Sequence, residues 1–202
     1  NVAVRQANGE ILVLLNNDTE VIQPDWLDEM VGWAVQPRVG AVGAKLHFPN
    51  RTIQHGGVVL LSRHGIAGHL HLGDPSDAPG DMDRLLLPQD LMAVTGACLA
   101  LRRSVYDEVE GLDEANLAVA FNDVDLCLKI GRAGYRIIWT PHAELIHHES
   151  VSRGDDMSPA KRARFLREVD YMAKSWGAVL DDDPFYSPHF ERHNGNFRLA
   201  VD

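Results

Sequence analysis

Along this chain, apolar runs of strand length alternate with apolar stripes at helical spacing. "NVAVRQANGE" reads as the tail of a helix closed by Gly9. Ile11 to Leu15 then form an unbroken apolar run, the pattern of a strand covered on both faces in a parallel sheet. Pro24 marks the next helix start, with Asp25, Asp28 and Glu29 at its positive end. Trp26, Met30 and Trp33 recur at helical spacing and predict its packed face, which Pro37 ends. "VGAVGAKLHF" and "TIQHGGVVL" read as a second and a third strand, and the glycines of the latter mark a bulge or a close backbone approach. Residues 62–90 are rich in Gly, Pro, Asp and His, a long irregular segment of the kind that is functional or mobile.

"LMAVTGACLALRR" returns to strand chemistry. Ser104 is placed to cap a short helix that carries Tyr106 and Val109 and stops at Gly111. Asn122 is placed to cap "DVDLCLKIGRA", which Gly134 ends, and "YRIIWT" reads as a strand. Past Pro141 come "HAELIHHES", a polar stretch, a helix from about Pro159 to Trp176, and the turn-rich "DDDPFYSPHF". Strands that alternate with helices predict the α/β class. The opening strand needs sheet neighbours, so earlier βα units are expected ahead of Asn1 and the chain reads as a fragment.

Composition narrows the function. The 202 residues fit one large domain or a domain with an appendage, and the 45% hydrophobic content supplies an ordinary core. A formal net charge of −10 argues against nucleic acid as a partner and against a non-specific grip on anionic lipid. No apolar run has the length of a membrane span. Cys98 and Cys127, both in apolar settings, point to free thiols and a reducing, cytoplasmic setting.

Three stretches carry candidate chemistry. In an open α/β sheet, ligands bind beyond the carboxyl ends of the strands, where Asn16, Asn17 and Asp18 stand. A carboxylate beside amide oxygens suits a hard divalent cation that bridges phosphates, although the same residue types also favour a plain turn. Asp-x-Asp recurs at Asp81/Asp83, Asp123/Asp125 and Asp181/Asp183, so only the strand ahead of Asp18 separates it from those. Asp123 and Asp125 open a predicted helix, where the macrodipole favours acid. Two positions apart they face differently, so one is free to bind locally while the other faces a cleft and takes a proton. His147, His148 and Glu149 follow an apolar segment, and the histidine pair offers one metal ligand. His69 and His71 offer a second metal pair, but in an irregular loop they read rather as solvated histidines.

"LVLLNNDTEV", "VTGACLALRRSVYDEVEGLDE" and "FNDVDLCLKIGRAGYRIIWTPHAELIHHES" together resemble a family 2 glycosyltransferase of the GT-A fold. The chain is most similar to the bacterial enzymes, rhamnosyltransferase-like members included, that build O-antigen and other surface polysaccharides. The resemblance covers nearly the whole chain and implies a Rossmann-like mixed sheet with flanking helices. It also implies a nucleotide-sugar donor, a divalent metal (Mg²⁺ or Mn²⁺) and a glycan or lipid-linked acceptor at the inner membrane face, with peripheral membrane association.

By the same resemblance, Asn16, Asn17 and Asp18 correspond to the family's Asp-x-Asp stretch, with Asp18 as the carboxylate ligand of the metal. Gly96 falls in the segment beside the donor sugar. Asn122 and Asp123 stand where the family has Glu-Asp, which makes Asp123 the catalytic base of an inverting transfer. His147 matches the histidine that completes the metal site, with His148 as its alternate. Residues 1–150 are then the C-terminal part of the catalytic domain, carrying the metal, donor-sugar and acceptor side. Residues 151–202 are a helix and tail packed on it. The base- and ribose-binding strands would lie ahead of Asn1, so the chain alone is expected to transfer sugar poorly.

Two rivals stand beside this reading. Asn16 and Asn122, where the family often carries acid, favour a non-catalytic binding module of the same fold. A metal-dependent hydrolase would draw on the many histidines and aspartates, but their spacing forms no recognised hydrolase motif.

Overall fold

The computed structural model describes residues 1–148, 158–192, 195 and 197–200. In chain order its elements are α1 (Val2–Gln6), β1 (Ile11–Leu15), β2 (Thr19–Val21), α2 (Trp26–Ala34), β3 (Val39–His47), β4 (Ile53–His55) and β5 (Val58–Leu60). There follow β6 (Ala67–His69), a 3₁₀ turn (Asp81–Leu86), β7 (Gln89–Leu91), β8 (Cys98–Arg102), α3 (Arg103–Glu108) and α4 (Asn122–Arg132). The last elements are β9 (Arg136–His147), α5 (Pro159–Trp176) and a second 3₁₀ turn (Gly177–Asp181).

The main sheet runs in the order β1-β8-β3-β9-β2, with β4 paired to β3 and β7 to β9. Only β3 and β9 run parallel; the other pairs are antiparallel. Its centre is β3, buried at every position, and two of its residues have no room for a side chain. A Cβ at Gly40 would lie 2.2 Å from Ile130 of α4, and one at Gly43 would lie 2.4 Å from Val94.

Apolar side chains cover both faces of the sheet. Met30 and Ala34 of α2 pack on one face against Val42, Ala44 and Ile138. On the other, Val105 and Tyr106 of α3, Leu126 and Ile130 of α4, and Met172 and Trp176 of α5 form a second core with Leu99, Leu101 and Trp139. Cys98 lies in the first cluster and Cys127 in the second, as free thiols whose pKa burial pushes up to about 12.

The opening run Ile11 to Leu15 pairs with β8 among the described residues, antiparallel rather than parallel, and only Leu12 in it is buried. Its continuous apolar character does reflect cover on both faces: Ile11 and Val13 pack toward the α2 cluster, while Leu12 and Leu14 pack toward the other core. The "TIQHGGVVL" strand is two, because the chain leaves the sheet at Gly56–Gly57 and β5 pairs with β6 instead. Gly57 has φ +109°, and a Cβ there would meet Leu91 at 2.1 Å, so the close approach read from the glycines is real. Pro141 does not end a strand. It lies within β9, where the pairing with β3 shifts between Ala44/Thr140 and Lys45/Glu144, and such an irregularity tolerates the missing N–H.

Helix starts also differ. Ser104 sits inside α3 rather than capping it, and Asn122 is the first residue of α4 behind Phe121. By contrast α5 starts as its sequence predicts: Pro159 occupies the first turn and the Ser158 hydroxyl accepts from the Lys161 N–H. Within residues 62–90 the irregular stretch is broken by β6, the 3₁₀ turn and β7. Glu149 lies outside the described residues.

Candidate active site

Two chain reversals meet above the carboxyl end of β1. The backbone leaves β1 at Asn16, whose N–H donates to the Ala97 carbonyl (2.9 Å) and whose own carbonyl accepts from the Thr19 hydroxyl (2.8 Å). The reversal through Asn17 and Asp18 feeds β2, which pairs with the end of β9 so that Thr19 faces His147. The turn reading of these residues therefore holds, and it delivers a carboxylate to a histidine from the far end of the sequence: Asp18 Oδ1 lies 3.2 Å from His147 Nε2.

Hydrogen bonds around His147 place a proton on Nδ1. The Gln54 amide donates its Nε2–H to the His147 carbonyl (3.3 Å), which leaves Gln54 Oε1 to accept from His147 Nδ1 at 2.7 Å. With the proton on Nδ1, the Nε2 lone pair faces Asp18 and accepts from the Asn16 side-chain amide at 3.0 Å. Asn16 is thus a partner of the histidine. His148 turns the other way: its side chain pairs with Glu20 at 3.1 Å and its N–H donates to the Asp18 carbonyl.

A lone pair and a carboxylate oxygen facing each other at 3.2 Å repel unless a cation or proton sits between them. An octahedral cation with bonds of about 2.1 Å sets neighbouring ligand atoms about 3.0 Å apart, so Asp18 and His147 fit adjacent ligand positions. Among the described residues no group of three His, Cys, Asp or Glu side chains could hold a metal. Two protein ligands suit a cation that keeps water and takes phosphate oxygens.

The second reversal leads into β8. Gly96 donates its N–H to Asp123 Oδ2 (2.8 Å), and the Val124 N–H at the start of α4 donates to Oδ1 (2.9 Å). A Cβ at Gly96 would stand 3.3 Å from that of Asp123, so the glycine is what lets the two chains close. Asp125 points the opposite way, as its spacing predicts. It is buried, accepts from Trp176 Nε1 at 2.9 Å and pairs with Lys129 at 3.0 Å.

Asn16, Gln54, His69, Gly96, Asn122, Asp123 and His147 line one cleft of about 570 Å³. Asp18 reaches it through His147, while Asn17 is exposed and outside its lining. Sequence reasoning passed over Gln54 and His55, and it read His69 as a loop histidine without this partner. The Thr95 N–H donates to His55 Nε2 (3.4 Å), so the His55 proton sits on Nδ1 and is donated to His69 Nδ1 at 2.8 Å. Burial pushes His55 well below the usual imidazole pKa, and the nearby His69 and His147 push it further. His71, read as solvated, is buried; it stacks on Phe197 and bonds Asp74 at 3.1 Å. The available signal was two polar residues in succession, Gln54 and His55, inside an apolar strand, where alternation must turn one of them inward.

Comparison with known proteins places this geometry. Glycosyltransferase-like family 2 matches residues 1–170. The chain is 52% identical over 200 residues to a Sinorhizobium fredii protein, y4gI, and 42% identical over 198 residues to the O-antigen biosynthesis protein RfbC of Myxococcus xanthus. It is 29% identical over 164 residues to an N-acetylglucosaminyl-diphospho-decaprenol L-rhamnosyltransferase of Mycobacterium tuberculosis. These alignments cover 99%, 94% and 76% of this chain but only 22%, 14% and 52% of the relatives' own lengths. Among solved structures, GalNAc-T7 with UDP, GalNAc and Mn²⁺ superposes with a TM-score of 0.65 at 15% identity, over 90% of this chain and 34% of that one. The mixed sheet with helices on both faces is accordingly the GT-A arrangement. The chain belongs to glycosyltransferase-like family 2.

Proposed function

We propose that this chain carries the catalytic centre of a glycosyltransferase that moves a hexosyl or deoxyhexosyl group from a nucleotide-sugar donor to a glycan or lipid-linked acceptor in cell-surface polysaccharide synthesis, with inversion. The observation that carries this reading is the convergence of Asp123 and the Asp18–His147 pair on one cleft from distant parts of the sequence. The names of the Myxococcus and mycobacterial relatives support the polysaccharide assignment. GalNAc-T7, which was solved with a nucleotide and Mn²⁺, supports the donor and the metal.

Asp18 and His147 would hold the divalent cation. Once bound, it would neutralise the charge that builds on the departing nucleoside diphosphate. Gln54 keeps the His147 ring turned with its Nε2 lone pair toward Asp18, and the Asn16 amide, which donates to that nitrogen, would give up the bond to a bound cation. On the other side, the Gly96 and Val124 amides fix both oxygens of Asp123, and each oxygen retains a lone pair. An acceptor hydroxyl placed there gives its proton to Asp123 while its oxygen bonds to the anomeric carbon. The bond from that carbon to the diphosphate oxygen breaks on the opposite face.

The test is calorimetry with UDP, GDP and dTDP, each with and without Mn²⁺, beside a sugar-transfer assay on the full-length protein. Asp18→Ala should abolish Mn²⁺-dependent nucleotide binding. Asp123→Asn should keep binding and lower transfer by about 10²–10⁴-fold, the usual worth of a positioned base. Undiminished transfer by Asp123→Asn would end the reading.

A further inference from the structure

The cleft wall that leads to Asp123 contains a residue in an unfavourable backbone conformation. Val119, Ala120, Phe121 and Asn122 line the cleft in succession, and Phe121 has φ 62° and ψ 8°. That left-handed region suits glycine or asparagine and strains a bulky side chain. The surroundings impose it. Glu168 of α5, buried, accepts from the Val119 N–H (3.0 Å) and the Ala120 N–H (3.1 Å). On the other side, the Phe121 carbonyl accepts from the Asp125 N–H (2.9 Å) and so opens α4. Pinned at both ends, the chain must turn at residue 121, and a phenylalanine there is held at a cost that a glycine would not incur.

Core packing accounts for part of that ring alone. Phe121 is half-buried, and its ring lies beside that of Phe165, with centroids 5.6 Å apart and planes tilted by 41°. Phe165, on α5, is 45% exposed, and its neighbour Leu166 is 55% exposed. Two aromatic rings therefore stand partly open to solvent, one of them two residues from Asp123. Strain kept at a cleft residue, with its side chain partly exposed, points to use by a ligand.

We propose that Phe121 and Phe165 form the stacking platform for the acceptor's sugar ring. The inference rests on the glycosyltransferase reading of the cleft and adds to it the chemistry of the acceptor subsite. A pyranose carries its hydroxyls around the rim and presents C–H groups on its faces. Those weakly positive hydrogens match the negative face of an aromatic ring, and burying them removes apolar surface from water. The platform belongs to the acceptor because Phe121 adjoins the base that an acceptor hydroxyl must reach, whereas the donor's diphosphate is drawn to Asp18 and His147. Glu168 acts through the loop: it sets the direction of Phe121 and touches no sugar.

The test is saturation-transfer NMR on the 202-residue chain, deuterated except at phenylalanine and tryptophan. The probes are methyl α-L-rhamnopyranoside, methyl α-D-mannopyranoside and methyl β-D-glucopyranoside. Irradiating the aromatic protons should saturate the C–H protons on one face of at least one sugar. Phe121→Leu and Phe165→Leu should each weaken that transfer about fivefold or more, in line with the worth of an aromatic contact. Phe121→Trp should retain it. Phe165 is exposed, so its variant tests the platform even where Phe121→Leu folds poorly. In the full-length protein, Phe165→Leu should raise the acceptor KM and leave the donor KM unchanged. Equal saturation in wild type and both leucine variants, or none to any of the three sugars, would overturn the platform. Unchanged acceptor kinetics in a protein that does transfer sugar would remove the platform and leave the glycosyltransferase reading standing. Face-specific saturation with no transfer in the full-length protein would do the reverse.

Discussion

At the scale of the residue, His147 is defined by what touches its far nitrogen. Gln54 holds Nδ1 at 2.7 Å, and that bond alone decides that the lone pair on Nε2 faces Asp18. Replacing Gln54 by leucine would keep the size and remove the acceptor, so the ring would be free to turn or to move its proton. Outer partners of this kind are typically worth about 10–100-fold in metal affinity. Mn²⁺ binding to Gln54→Leu, followed by electron paramagnetic resonance in the presence of a nucleoside diphosphate, should weaken by that factor with the thermal midpoint little changed. Full Mn²⁺ affinity in the variant would show that Gln54 does not position the ligand. Asp18, Asp123 and His147 were legible in the sequence because each stands where an apolar run ends or a helix begins. Gln54 was not, since a polar residue inside an apolar strand looks the same whether it faces water or a histidine 93 positions away.

The elements show why local patterns stop short of topology. Period-two alternation says that a segment is a strand but not which strand lies beside it. The run Ile11–Leu15 therefore read as a strand of a parallel sheet, whereas the described residues pair it antiparallel to β8. Helices were more legible because their apolar stripes are local, although the caps read at Ser104 and Asn122 fall inside α3 and α4, and the two carboxylates at the start of α4 separated as their spacing requires. Asp125 joins α4 to α5 by accepting from Trp176 Nε1 and pairing with Lys129. Its role is to fix the angle between two helices, one carrying Asp123 and the other Glu168 and Phe165. Asp125→Leu would leave the Lys129 ammonium and the indole N–H without this acceptor in a mostly buried setting, a loss of about 3–5 kcal/mol. Asp125→Asn keeps an oxygen for Trp176 and should lose less. Urea denaturation of the two variants should show that order, and a Leu variant as stable as wild type would mean that packing alone joins the helices.

For the whole molecule, composition identified an acidic protein, the alternation of strand and helix patterns its α/β class, and the order of three weak motifs supplied the family. The pH dependence of stability follows instead from burial that no linear pattern reveals. Burial lowers the pKa of His55 well below 6.5, and it also lowers that of His71 despite the opposing pull of Asp74. In the unfolded chain both imidazoles take up a proton near their ordinary value of about 6.5. Below that pH, and down to their folded values, the unfolded state binds more protons than the native one, so stability falls as pH falls. The contribution is fully present above about pH 6.5 and is lost in the window beneath it, before most carboxylates titrate near pH 4. Glu144, held below the usual carboxylate range by its hydrogen bond to His47, loses its own contribution only at lower pH, as the solution approaches its ordinary value and then passes its folded one. Chemical denaturation of the chain should therefore show a midpoint that drops between pH 7 and pH 5.5. His55→Asn should be less stable at pH 7 yet show a shallower drop, because it removes one of the two groups that favour protonation on unfolding. A wild-type midpoint that is flat across this interval would mean that His55 and His71 gain their protons without unfolding, and that the interior around the β5–β6 hairpin admits water more readily than its packing indicates.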